Sequence, residues 1–133
     1  MNQLPENMVN LEAITIDEPY WPAAGNNDIT LEVLRLDKID PFISGNKWFK
    51  LKYHLQHALQ NQLPTVITFG GAYSNHILAI ACAVQKAGLH SIGIIRGEQP
   101  AQLSHTLMAA EGFGMKLVFV SREQYNQKKD LRL

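Results

Sequence analysis

The stretch TVITFGGAYSNHILAIACAVQKAG, Thr65–Gly88, decides the fold. Its first five residues, Thr65-Val66-Ile67-Thr68-Phe69, are β-branched or aromatic and lie between Pro64 and Gly70, the composition of a short strand buried on both faces. A glycine turn follows. Asn75 to Ala87 then carries Ala, Ile, Leu and Val around most of its circumference, which predicts a tightly packed helix closed by Gly88. A strand, a glycine turn and a buried helix in that order open a βαβ unit, whose second strand runs parallel to the first.

The same alternation continues on both sides. Downstream, Ser91–Ile95 and Lys116–Val120 are apolar strand candidates, and Pro100–Glu111 is a predicted helix with Pro near its first turn and Gly112 beyond its end. Upstream, Trp48, Leu51, Leu55 and Leu59 recur at three-to-four spacing after the helix-start signal Ser44-Gly45-Asn46, so a helix is predicted from about Lys47 to Gln60. On a neighbouring stripe of that helix the same spacing aligns Lys47, Lys50, His54 and His57. The order is helix, strand, helix, strand, helix, strand. It predicts an open α/β fold, a parallel sheet joined by right-handed crossovers with helices on both faces.

The flanks are less regular. Residues from Met1 to about Gly25 carry Pro5, Pro19 and Pro22, and a Gly-Asn-Asn-Asp cluster follows at Gly25 to Asp28, so an irregular lead-in is expected. Leu31, Val33, Leu34 and Leu36 in TLEVLRLD predict a strand, ended by turn chemistry over Asp37 to Pro41. After Val120, REQYNQKKDLRL is polar and reads as a helix begun, with no natural closure at Leu131 to Leu133.

Composition narrows the function classes. With 133 residues, 46% of them hydrophobic, the chain supports one domain with a real core. Twelve Lys plus Arg balance twelve Asp plus Glu, so no net field draws it to nucleic acid or to an anionic membrane. The first 21 residues lack the basic flank and apolar run of a secretory signal, and no stretch approaches a membrane span, so a cytoplasmic protein is expected. The lone cysteine, Cys82, agrees with a reducing compartment and falls in ILAIACAV, where it reads as a small buried residue. His54 and His57 lie three apart, with no further cluster to complete a coordination shell; a pair on a solvated face is expected, and no metal site.

Two segments fall where ligands gather in an open α/β sheet, at loops that lead from strand ends into helix starts. In Gly70-Gly71-Ala72-Tyr73-Ser74-Asn75-His76, glycines let the backbone approach a ligand and the helix start attracts anions, while Ser74 or Asn75 also suits a plain helix cap. It is not a hydrolase nucleophile elbow, because His76 stands where that turn needs Gly. In Ser44-Gly45-Asn46-Lys47, a lysine in the first helical turn meets the positive end of the dipole, which favours loss of its proton and suits Schiff-base chemistry. A solvated surface lysine is the ordinary alternative. Lys50, one turn on, brings a second cation to whatever anion Lys47 faces.

At these two segments together the chain resembles a known family. SGNKWFKLKYHL is similar to the GGNK-x-R-K-LEY signature of the 1-aminocyclopropane-1-carboxylate deaminase and D-cysteine desulfhydrase family, and TFGGAYSNHILAIA to its GG-x-x-SN-[HQ] loop and alanine-rich helix. LRLDKIDPF and GMKLVFVSREQY resemble flanking pieces, so the likeness covers about Leu31 to Tyr125. The resemblance implies a tryptophan-synthase-β-like, fold type II enzyme that uses pyridoxal 5'-phosphate to turn a small amino acid into a 2-oxo acid and ammonia, with sulfide as well from a cysteine. It implies that Lys47 carries the cofactor and moves the substrate proton, that Asn75 bonds the cofactor's phenolic oxygen, that Ser74 assists substrate, and that Lys50 lies near the cofactor phosphate.

The same resemblance implies a division, residues 1–44 belonging with a larger domain and residues 45–133 forming the small α/β domain with the lysine. Family members continue beyond this length, so a truncated chain, inactive by itself, and a homodimer in the full-length form are expected. Ser44 replaces the family's first Gly, and Trp48-Phe49 replaces a small residue plus Arg. His76 resembles the desulfhydrase branch, where the deaminases usually have Gln. The competing reading is a non-catalytic α/β module, or an inactive fragment, that binds an anionic metabolite with Lys47 as a plain phosphate contact.

Overall fold

The structure, a computed structural model, describes residues 3–23 and 28–127. Two short strands come first, β1 (Ile16–Asp17) and β2 (Val33–Leu34), paired antiparallel. The Arg35 guanidinium fastens this ribbon, bonding Asp17 at 2.6 Å and Asp37 at 2.7 and 2.8 Å. Its hydrogen bonds to Asp37, helped by its charge, hold that carboxyl down at about 2. The strand expected over Leu31–Leu36 is therefore cut to two residues: the chain turns at Arg35 into a 3-10 turn, Leu36–Ile39. Leu31, Val33 and Leu34 are exposed, so their apolar pattern meets no core among the described residues. The lead-in is more ordered than expected, with a 3-10 turn at Leu11–Ala13 capped by Asn10 as well as β1. Gly25 to Asn27 and Leu131 to Leu133 lie outside the described residues.

Helix α1 (Lys47–Gln60) has the predicted bounds and buries Trp48, Leu51, Leu55 and Ala58. Gly45, at φ +66°, supplies the left-handed residue that turns the chain into it. Then come β3 (Thr65–Gly70), α2 (Asn75–Lys86), β4 (His90–Arg96), α3 (His105–Gly112), β5 (Lys116–Val120) and α4 (Arg122–Asn126). The strands β3-β4-β5 form a parallel sheet in that order, Ile67 opposite Ile92 and Ile94 opposite Val118. The α/β alternation is thus as read from the sequence. Helix α3 is not: it begins five residues after Pro100, because the Ser104 hydroxyl accepts from the Leu107 amide and stops the helix there.

Strand register sorts the side chains into two faces. Val66, Thr68, Gly70, Ser91, Gly93, Ile95, Leu117 and Phe119 share the face whose apolar members join α1, α2 and α3 in one core. Helix α2 is its centre, with seven residues buried, Ile77 and Ala79 to Val84. On the other face lie Ile67, Phe69, Ile92, Ile94 and Val118, covered in part by α4, whose Tyr125 ring stands edge-on to Phe69 and beneath Arg96. Among the described residues three helices thus share one face and this short helix meets the other. Strand β3 is an edge strand with Ile67 44% exposed, so it is not buried on both faces as expected.

The lead-in is tied to this core. Met8, Ile39 and Ile43 belong to it, and buried Asp40 accepts from the amides of Phe42 (2.8 Å) and Ile43 (2.9 Å) while pairing with Lys86 near the end of α2. Lys86 also donates to the Met8 carbonyl at 3.1 Å. No helix among the described residues is long and apolar enough to cross a membrane.

Candidate active site

At the free edge of the sheet, α1, α2 and β3 enclose a cleft of about 340 Å3. Its apolar floor comes from Leu51, Ile80 and Val66 on the helix-covered side, with Ile67 at the exposed edge. Its remaining lining is basic: Lys47, Lys50 and His54 from α1, and His76 from α2. The first three are related by i, i+3 and i+7 along α1, which puts them on one stripe of the helix. None of the described residues that line it is acidic. Such a volume, with an apolar floor and convergent basic groups, suits a small organic anion.

Lys47 is the first residue of α1, its Nζ 3.4 Å from the Asn46 Oδ1. His76 is the second residue of α2, and its Nε2 lies 3.0 Å from the hydroxyl of Thr68, a buried residue of β3. That contact fixes the ring at the cleft although the residue is exposed to solvent. Desolvation first, and then the charges of Lys47 and Lys50, push its pKa below the ordinary histidine value.

The glycine loop lies just before His76. Gly70 has no space for a side chain, since a Cβ there would fall 2.4 Å from Cγ1 of Ile77. This close approach lets the end of β3 meet the first turn of α2. Ser74 caps that turn, its hydroxyl accepting from the Ile77 amide at 3.4 Å, and the Ser104 hydroxyl donates to the Ala72 carbonyl and fastens the loop to α3. Asn75 opens α2 with its side chain exposed.

The structure therefore brings Lys47 and Lys50 to one cleft with His54 and His76. Ser74 and Asn75, immediately before His76 in the chain, are not among the residues lining it. The histidine pair is solvated as expected, both residues being exposed; His54 also borders the cleft, and His57 bonds the Asn61 amide at 3.3 Å. The one trace of His54 in the sequence was its place on the stripe with Lys47 and Lys50; nothing local pointed to Thr68 as a partner for His76. Cys82 is 1% exposed, and burial pushes its thiol pKa up, which suits a packing residue. Among the described residues no group of His, Cys, Asp or Glu could hold a metal ion.

No protein-family profile matches the chain. Individual relatives do. The chain is 46% identical over 57 residues to a Pyrococcus abyssi protein that carries a provisional 1-aminocyclopropane-1-carboxylate deaminase name, a match covering 43% of this chain and 17% of that one. It is 29% identical over 132 residues to the mitochondrial bifunctional D-cysteine desulfhydrase/1-aminocyclopropane-1-carboxylate deaminase of Arabidopsis thaliana, over 95% of this chain and 33% of that one. A D-cysteine desulfhydrase of Salmonella paratyphi B is 33% identical over 63 residues, 47% of this chain and 19% of its own. The chain thus spans from 17% to 33% of the length of these relatives. At modest identity, they support kinship with the deaminase and desulfhydrase family.

Proposed function

We propose that the chain belongs to the 1-aminocyclopropane-1-carboxylate deaminase and D-cysteine desulfhydrase family, with the fold type II architecture, and serves a pyridoxal-phosphate-dependent deaminase or desulfhydrase acting on a small amino acid. The observation that carries this reading is the cleft itself, where Lys47 and Lys50, one helical turn apart, meet over an apolar floor. The residues fit the cofactor by chemistry. A flat pyridine ring suits Leu51, Val66, Ile67 and Ile80, its phosphate suits an ammonium, and its aldehyde needs an amine. When bound, pyridoxal phosphate supplies an electron sink for the bond broken in the substrate.

The chain's own residues then divide the remaining work. Lys47 would hold the cofactor's aldehyde through its amine and would carry a proton between its Nζ and the α or β carbon of the substrate. Lys50 holds the phosphate as a compact point charge. Asn75, which opens α2 beside the cleft without lining it, would donate from its carboxamide to the phenolic oxygen, a role that the family resemblance assigns. The Ser74 oxygen already accepts from the Ile77 amide; next to the cleft but not lining it, Ser74 would have only its hydroxyl proton to donate to a substrate carboxylate. The products are ammonia and a 2-oxo acid, with sulfide in addition from a cysteine.

Adding pyridoxal phosphate to the protein should raise a visible absorption band that the Lys47→Ala variant lacks, and D-cysteine or 1-aminocyclopropane-1-carboxylate should then release ammonia and a 2-oxo acid. Saturable binding of the phosphate with no band would point instead to a non-catalytic anion-binding module.

A further inference from the structure

Two basic side chains of the cleft have no part in the chemistry above. His54 lies on the stripe of α1 that carries Lys47 and Lys50, four residues beyond Lys50, and His76 reaches the cleft from α2 with its ring held by the Thr68 hydroxyl at 3.0 Å. They come from two elements far apart in sequence and meet around one cavity. Among the described residues nothing acidic lines that cavity to neutralise the two lysines. We propose that His54 and His76 are two further anion-binding residues of this cleft, so that its hold on a phosphate-type group tightens as they take up protons. The proposal rests on the cleft being the seat of a phosphate-bearing ligand, and it does not rest on any covalent step at Lys47.

A neutral imidazole gives one N–H donor, whereas the protonated ring gives two donors and a full charge, and histidine makes that change near neutral pH. The groups that face His76 are Lys47 and Lys50 from α1 and the uncharged Thr68 from β3. Around His54 the charged lining consists of the same two lysines on its own helix and His76 from α2. In the free cleft the lysines therefore oppose protonation of His76, in keeping with the downward direction of its pKa. An anion between them cancels this opposition, so anion and proton bind cooperatively, and each must strengthen the other by the same factor.

The test follows the ring signals of His54 and His76 by NMR in the whole chain while pH is lowered, without and with saturating sulfate. Sulfate stays a dianion throughout this range, so any pH dependence belongs to the protein. Both histidine midpoints should rise in sulfate, and sulfate should bind on the order of tenfold more tightly at about pH 5.5 than at about pH 8. His54→Gln and His76→Gln should each flatten that dependence while leaving the binding due to Lys47 and Lys50 at the higher pH. Midpoints unmoved by saturating sulfate, equal affinity at both ends of the range, or no binding at any pH overturn the proposal. The wild-type titration alone decides it, so a variant that misfolds leaves the test intact. No aldehyde is present, which separates the two readings: a visible band with pyridoxal phosphate beside unmoved histidines defeats only this inference, whereas moved histidines without a band defeat only the covalent role of Lys47.

Discussion

Gly70 has no room for a methyl group. A Cβ there would fall 2.4 Å from Cγ1 and 2.8 Å from Cδ1 of Ile77, a fully buried side chain that has nowhere to retreat. Gly70→Ala should therefore lower stability by about 1–3 kcal/mol, read as a reduced urea midpoint; an unchanged midpoint contradicts the packing described here. Lys50 is tested by ligand chemistry. Lys50→Ala should weaken pyridoxal phosphate binding by about 1.5–3 kcal/mol, the loss of one charge-assisted bond, and leave the affinity for phosphate-free pyridoxal unchanged. Equal losses for both ligands would remove Lys50 from the phosphate. Lys47 and Lys50 could be picked out in the sequence because their spacing on one helix is a local property. His54 shared that stripe, but its place at the cleft, like that of His76, was not legible, since it depends on a cleft closed by β3 and by the other helix.

Asp40 joins elements that lie far apart in the chain. Its carboxylate accepts from the Phe42 and Ile43 amides and pairs with Lys86 on α2. Burial works to raise its pKa, but the Lys86 bond and the two amides prevail, so the folded value lies below the ordinary 3.8. The sign follows: the unfolded chain holds this proton more tightly, so the stabilisation is present above about pH 3.8 and is lost as pH falls through the lower folded value. Asp40→Asn should cost about 2–3 kcal/mol at neutral pH and flatten the acid limb of the unfolding curve, measured by circular dichroism. An acid limb identical to that of the wild type would show that Asp40 does not contribute it.

The elements themselves were readable where hydrophobic period and end signals agreed, as at Lys47–Gln60 and Lys116–Val120. They were misread where one signal stood alone. Pro100 suggested a helix start that Ser104 makes instead, and the apolar pattern of Leu31 to Leu36 suggested a strand that the Arg35 ion pairs cut short.

For the molecule as a whole, alternation of strands and helices made the parallel sheet legible, because crossover geometry leaves little choice of order. It did not reveal that α1, α2 and α3 share one face, nor that β3 ends the sheet and so leaves an edge beside which a cleft can open. That cleft should also mark the pH dependence of folding. The folded pKa of His76 is below the ordinary 6.5, so as pH falls through that value the unfolded chain takes the proton first and stability drops, the full loss being reached below the folded value. His76→Gln should remove this loss from the thermal midpoint measured across about pH 5 to about pH 8. A midpoint that falls equally in the variant assigns the dependence to other groups.

One measurement bears on the whole account. The protein is incubated with pyridoxal phosphate, reduced with borohydride, digested and mapped by mass spectrometry. The cleft geometry predicts that the pyridoxyl label is retained at Lys47 and is lost when excess sulfate competes. Label spread over surface lysines such as Lys38, Lys52 and Lys116, with Lys47 no more modified than they are, would contradict it.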